Sequence, residues 1–265
     1  VVIVAVPSHG FRHVVRELLT VAPASRPVSL VSAAKGIEVD SQARMSQVAF
    51  EEGMAADRDV HFAVLSGPSF AAELARGMAT AAVLASEEPD LATWIQEELA
   101  TSSLRLYTSS DVVGVELGGT SKNVIAIAAG VVAGLALGHN TLAALITRGL
   151  HEISRLGVAY GGKRSTFAGL AGLGDLGLTC TGGLSRNRQI GIDLAAGKGP
   201  REIADEPHMV AEGVKNCLSV QRLARRRGVE MPITEQVVEI LYQDKSPRAA
   251  VGELMGRELK AEAEL

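Results

Sequence analysis

Glu116-Leu117-Gly118-Gly119-Thr120-Ser121-Lys122-Asn123, running on through Val124-Ile125-Ala126-Ile127-Ala128-Ala129-Gly130-Val131-Val132-Ala133-Gly134-Leu135-Ala136-Leu137-Gly138-His139-Asn140, reads as the mouth and body of one long apolar helix. No Asp, Glu, Lys or Arg follows Lys122 until Arg148. Such a helix has no charged face to offer water and has to be buried. Its apolar body from Val124 to Leu137 is short and glycine-rich beside the roughly 20 residues of a membrane span, so we expect a protein core and no transmembrane segment. A charge at its start must be paired or used. At helical spacing Lys122 shares a face with Gly118, Gly119, Ile125 and Ala126, small or apolar neighbours that let a backbone or a ligand come close. Desolvation in such a place lowers a lysine from its usual pKa of about 10.4 and makes it a proton donor or acceptor near neutrality. The other reading is a structural lysine that reaches back to solvent or pairs with Glu116.

The pattern differs on the two sides of this helix. Upstream, short β-branched runs at 1–6, 28–33, 61–66, 79–85 and 103–107 alternate with amphipathic stretches near 11–21, 40–56, 69–76 and 88–101. Apolar strands with helical crossovers predict a parallel sheet covered on both faces, with ligands at the carboxyl ends of its strands. Downstream, helices are expected at 112–138, 140–160, 186–197, 210–228 and 232–243, with no further strand. The expected division is an α/β domain over 1–110 and an all-helical domain over 111–265.

Composition narrows the class. Of 265 residues, 47% are apolar and 21% charged, as in a soluble globular protein. A net charge of −4 provides no basic field for nucleic acid or an anionic membrane. Cys180 and Cys217 are far apart in sequence and have no metal-ligand spacing around them, so neither a disulfide framework nor a metal site is expected, and a reducing cytoplasm fits. The chain opens on Val1-Val2-Ile3-Val4-Ala5-Val6, a buried-strand pattern without an initiator Met. We expect a preceding β-α unit, with the Gly-rich pyrophosphate turn, to lie upstream of it.

Residues with chemistry in them collect where the strands end. The first strand runs into Pro7-Ser8-His9, the second into Ala34-Lys35-Gly36-Ile37-Glu38, and the third into Ser66-Gly67-Pro68-Ser69-Phe70-Ala71. These are also ordinary turn residues. Glycine and serine ahead of a helix expose N–H groups that suit a phosphate, and Lys35 adds a cation. Gly172-Leu173-Gly174-Asp175-Leu176-Gly177 matches G-x-G-x-x-G literally, but no strand precedes it and Asp175 would repel a pyrophosphate. It is expected to be a loop that presents Asp175 to a cation or a hydroxyl, or else a plain turn. In Thr179-Cys180-Thr181-Gly182-Gly183-Leu184-Ser185-Arg186-Asn187-Arg188, Ser185 is a candidate helix cap, and the arginine forks suit phosphate oxygens.

Taken in order, these segments resemble the NAD(P)-dependent glycerol-3-phosphate dehydrogenases of the bacterial and cytosolic kind. The likeness rests on Pro7-Ser8-His9 with Phe11-Arg12, Lys35 to Glu38, Ser66 to Glu73, Glu116 to Asn140, Ala144 to Glu152, Thr166 to Thr181 and Ser185 to Arg188. It implies a Rossmann-like parallel sheet, incomplete at its start, joined to a helical substrate domain in a cytoplasmic homodimer. The implied reaction interconverts dihydroxyacetone phosphate and sn-glycerol 3-phosphate with NAD or NADP, and supplies the glycerophospholipid backbone. By resemblance Lys122 is the general acid/base, and Lys35 lies beside both substrate and nicotinamide. Gly67, Ser69, Asp175 and Thr179 resemble substrate-side positions, with Asp175 close to Lys122. Ser185, Arg186 and Asn187 resemble the phosphate site, with Arg186 also reaching the cofactor. Ala71, Val210 and Glu212 resemble cofactor contacts. Two alternatives are another β-hydroxyacid-type enzyme, such as a 6-phosphogluconate dehydrogenase relative, and a non-catalytic fragment that binds a phosphometabolite.

Overall fold

Strand β1 (Val2–Val4) pairs in parallel with β2 (Val28–Ser32), and β2 in parallel with β3 (Val60–Ser66), through helices α1 (Ser8–Val21) and α2 (Met45–Ala55). The structure is a computed structural model and describes residues 1–23, 25–199, 202–203, 212–259 and 261–262. Strands β4 (Thr80–Ala85) and β5 (Leu104–Ser109) complete one sheet of order β1-β2-β3-β4-β5.

The sheet is mostly parallel, as the sequence predicts, and departs from that at one pair. β4 runs antiparallel to β3, with Ser66 opposite Val83. A parallel crossover needs a dozen or more residues, usually with a helix long enough to cross the sheet. Between β3 and β4 the only helix is the five-residue α3 (Ala71–Ala75), which turns the chain back instead. Parallel pairing returns between β4 and β5, across α4 (Pro89–Leu99). The opening run is also shorter than expected. β1 is an edge strand in which Val4 is buried while Val2 and Ile3 are exposed.

The alternation of side chains along β2 and β3 divides the core of this unit. Leu30, Phe62 and Val64 pack with Phe11, Val15, Val48, Val112 and Val115. Val31, Ala63 and Leu84 face Leu91 and Ile95 of α4. Both faces of the sheet are therefore covered.

Beyond β5 the described residues contain helices and no strand. They are α5 (Val112–Gly134), α6 (Gly138–Ala159), α7 (Arg164–Phe167), a π-helical turn (Leu170–Gly174), α8 (Asp175–Thr181), α9 (Arg186–Ala195), α10 (Glu212–Arg226), α11 (Pro232–Tyr242) and α12 (Pro247–Met255). Among the described residues α5 alone is long and apolar enough to cross a membrane, and it lies largely buried within the protein. It stops short of the expected 138, because Ala136 and Gly138 take positive φ values of 53° and 86°. The G-x-G-x-x-G match is no loop: it occupies the π-helical turn and the start of α8. Two compact units result, Val1–Thr120 with Gly157–Asp175, and Ser121–Leu156 with Leu176–Leu265. This division follows packing, whereas the sequence reading followed the end of the strands at 110.

Two features hold the helical unit. At the crossing of α5 and α9, a Cβ on Gly191 would lie 1.9 Å from the Ile127 carbonyl oxygen and 2.7 Å from Gly130 Cα, so only glycine permits this approach. On α6 the buried Glu152 caps α11, accepting from Ile233 N at 2.6 Å, Thr234 N at 3.2 Å and Thr234 Oγ1 at 3.2 Å. Burial pushes the Glu152 carboxyl up to about 7, against the pull of those donors.

Gly191→Ala should lower the unfolding free energy by at least ~2 kcal/mol in urea titration, since overpacking against backbone has no cheap relief. Gly177→Ala, whose Cβ would meet nothing within 4 Å, should leave stability unchanged or raise it by a few tenths of a kcal/mol to about 1. For Glu152 the folded value of about 7 lies above the reference of 4.5, so its contribution is complete below pH 4.5 and is lost as pH rises through 7. The stability difference between the parent and Glu152→Gln should therefore shrink by about 3 kcal/mol between pH 4 and pH 8. A difference that stays flat over that range contradicts the assignment.

Candidate active site

In the sheet-containing unit a polar cluster forms where β2 and β3 end. Lys35 follows β2 and directs Nζ to Asp175 Oδ2 at 2.6 Å and to the Gly67 carbonyl at 3.1 Å. Ser66, the last residue of β3, brings Oγ to 3.4 Å from the same Asp175 oxygen, and Ser69 Oγ donates to the Gly67 carbonyl at 3.0 Å. Gly67 has φ 137°, and a Cβ there would stand 2.9 Å from Ala82 Cα, so the turn out of β3 requires glycine. Asp175 is 2% exposed and Lys35 20% exposed by side chain. A carboxylate this deep needs a cationic partner, and the Lys35 ammonium is one. Asp175 thus presents itself to a cation and a hydroxyl, as the sequence suggested, but from the first turn of α8. Ala71 opens α3 and is exposed.

In the helical unit Lys122 is 6% exposed and donates from Nζ to Thr179 Oγ1 at 2.8 Å. Thr179, on α8, is itself buried. The competing idea of a Lys122–Glu116 pair finds Glu116 taken up elsewhere, by Arg44 Nη1 at 2.5 Å and by Ser46 N and Oγ at 2.7 Å each. Ser185 is the N-cap of α9, accepting from Arg188 N at 3.2 Å. Arg186, in the first turn, is exposed. Asn187 Oδ1 accepts from Gly213 N at 3.1 Å. A Cβ on Gly213 would come within 2.9 Å of the Asn123 carbonyl, so the start of α10, with Glu212, packs against the residue next to Lys122. Val210 lies outside the described residues.

The sequence reading gave no structural role to three features near these clusters. Asn123 sat unremarked in the quoted stretch although it is buried beside Lys122. The Arg44–Glu116 pair spans 72 residues and left no local signal. The Arg12 guanidinium is another such partner, and its bonds to Glu38 hold that carboxyl below its ordinary value.

Chemically, a buried ammonium beside a hydroxyl has the make-up to carry a proton shielded from bulk water. The capped start of α9, with an exposed arginine beside it, has the chemistry to hold an anion. Among the described residues no three His, Cys, Asp or Glu side chains gather as metal ligands.

A family model described as NAD-dependent glycerol-3-phosphate dehydrogenase C-terminus matches residues 111–252, and its N-terminus counterpart matches residues 1–92. The chain belongs to this family. It is 55% identical over 257 residues to a relative from Geobacter sulfurreducens named glycerol-3-phosphate dehydrogenase (NAD(P)+), covering 97% of this chain and 76% of the relative. It is also similar to the crystal structure of glycerol-3-phosphate dehydrogenase from Coxiella burnetii, at a TM-score of 0.89 and 40% identity over 96% of this chain and 76% of that one. The Plasmodium falciparum glycerol-3-phosphate dehydrogenase shares the fold at a TM-score of 0.85 and 18% identity, covering 98% and 74%. Both family models favour this membership over the 6-phosphogluconate type.

Proposed function

We propose that the chain interconverts dihydroxyacetone phosphate and sn-glycerol 3-phosphate with NAD or NADP. The observation that carries this reading is the buried Lys122, held by Thr179 in a chain of this family. The donor set also fits a phosphate-bearing nicotinamide dinucleotide. Lys35 provides a cation at the carboxyl ends of β2 and β3, Arg186 a second one, Ala71 an open helix start, and Glu212 an acceptor for amide or hydroxyl groups. When bound, the nicotinamide supplies or takes up the hydride.

What the chain's own residues do follows from the charge that develops on the substrate. As the ketone carbon is reduced, its oxygen gains alkoxide character, and Lys122 Nζ stabilises that charge and gives up a proton to it. In the other direction it accepts the hydroxyl proton. Thr179 orients the ammonium, and Asp175 adds a fixed negative charge on the same helix. Ser185, Arg186 and Asn187 hold the phosphate, a group remote from the reacting carbon whose binding energy orients the ketone. Lys35, with Gly67 and Ser69, lines the substrate and nicotinamide side. Val210 completes the proposed cofactor contacts. In this reading residues 1–110 serve the dinucleotide and 111–265 the substrate, in a cytoplasmic homodimer whose product feeds glycerophospholipid synthesis.

NADH or NADPH oxidation on adding dihydroxyacetone phosphate tests the proposal, and its absence with both cofactors would sink it. Lys122→Ala should lower kcat by about 10²–10⁴-fold while binding of glycerol 3-phosphate stays within roughly tenfold. A kcat within about tenfold of the parent would remove Lys122 from the role. Arg186→Ala should chiefly raise KM for dihydroxyacetone phosphate and narrow the disadvantage of unphosphorylated dihydroxyacetone. Equal losses on the two ketones would show that Arg186 does not read the phosphate.

A further inference from the structure

Lys35 stands on a segment with little structure of its own. Between β2 and α2, residues 33–44 are joined by one isolated bridge, Ile37 to Arg44, with Glu38 N donating to the Ala43 carbonyl at 3.0 Å and Gln42 N to the Glu38 carbonyl at 2.9 Å. So short a ladder does not fix a long side chain at its margin; supporting groups outside it must. Two clamps from neighbouring helices grip the segment. On one shoulder Arg12 of α1 takes Glu38 in a fork, Nε to Oε1 at 2.7 Å and Nη2 to Oε2 at 2.6 Å. On the other, Glu116 of α5 receives Arg44 Nη1, Ser46 N and Ser46 Oγ.

The clamps are not equivalent. Glu38 is 18% exposed by side chain and Glu116 only 4%. A partly exposed pair gives way to water more readily when a partner is lost, whereas a buried one leaves an uncompensated charge and forces its surroundings to move. One helical turn beyond Glu116, Gly119 forms the wall along which the Lys35 stem lies. A Cβ there would stand 3.6 Å from Lys35 Cγ and 3.0 Å from Ser66 Oγ. The same face of α5 therefore grips the end of the loop and backs the lysine it carries.

We propose that Glu116 is a positioning residue for Lys35: by holding Arg44 and Ser46 against α5 it sets where the Lys35 ammonium stands between Asp175 and Gly67. This deepens the proposed function and rests on the role given there to Lys35. Glu116 acts through Lys35, and a merely stabilising carboxylate would not be coupled to that one side chain.

A double-mutant cycle separates the two cases. In dihydroxyacetone phosphate reduction, Glu116→Gln should lower kcat/KM about tenfold or more in the parent and less than about twofold in a Lys35→Ala background. Losses that multiply would overturn the inference. A second measurement needs no turnover. In protein whose lysines carry ¹³C-methyl groups, the Lys35 resonance, assigned by its loss in Lys35→Ala, should move toward those of solvent lysines in Glu116→Gln. Ser46→Ala, which removes one donor from the same carboxylate, should move it in the same direction by less and serves if Glu116→Gln does not fold. A Lys35 resonance unmoved in the folded variants overturns the inference. If the parent reduces no dihydroxyacetone phosphate, the functional reading fails while the resonance still decides the clamp.

Discussion

A helix with no polar face carries two ionisable groups, and the rest of the molecule is arranged to meet them. Over its 23 residues α5 contains only Glu116 and Lys122 as charged side chains, each 6% exposed. Neither can keep its hydration, so each needs a partner brought from elsewhere in the chain. Glu116 is met by Arg44 and Ser46, and Lys122 by Thr179. The Thr179 hydroxyl accepts from the Lys122 ammonium, whereas Glu116 is held by a guanidinium together with a backbone N–H and a hydroxyl.

The reversal of β4 is what brings α5 to the cluster around Lys35. β1, β2 and β3 all point their carboxyl ends to one edge of the sheet, whereas β4 and β5 run the other way. The chain therefore leaves β5 away from that edge and returns along α5. The seven helical steps from Val112 to Gly119 climb about 10 Å, enough to bring Gly119 against Ser66 and Lys35. With β4 parallel, α5 would begin at that edge and lead away from it. The short α3, too small to carry a crossover, is the local cause of this global consequence.

Glycine and arginine take up roles in each unit that a motif search assigns wrongly. The literal G-x-G-x-x-G run is a π-helical turn and a helix start, and its Gly177 faces open space. The glycines at the cluster around Lys35 are Gly67, which turns the chain out of β3, and Gly119, where a Cβ would crowd the Ser66 hydroxyl at 3.0 Å. Arg12 and Arg44 act as struts for a loop, while Arg186 stays exposed at the start of α9.

The sequence by itself determined what rests on local periodicity and on charge within an apolar run. The alternation of strands and helices before β5, the change to helices after it, the burial of α5, the singling out of Lys122 and the cap at Ser185 were all legible, because each depends on residues within a few positions of one another. Tertiary structure decided what depends on distant partners. Asp175 meets a lysine 140 positions away, Glu116 an arginine 72 positions away, and Lys122 a threonine 57 positions away. The direction of β4 likewise depends on how thirteen residues after β3 fold back, and hydropathy does not record it. A single sequence shows which side chains cannot remain alone in a core, and only the folded chain shows which groups come to meet them.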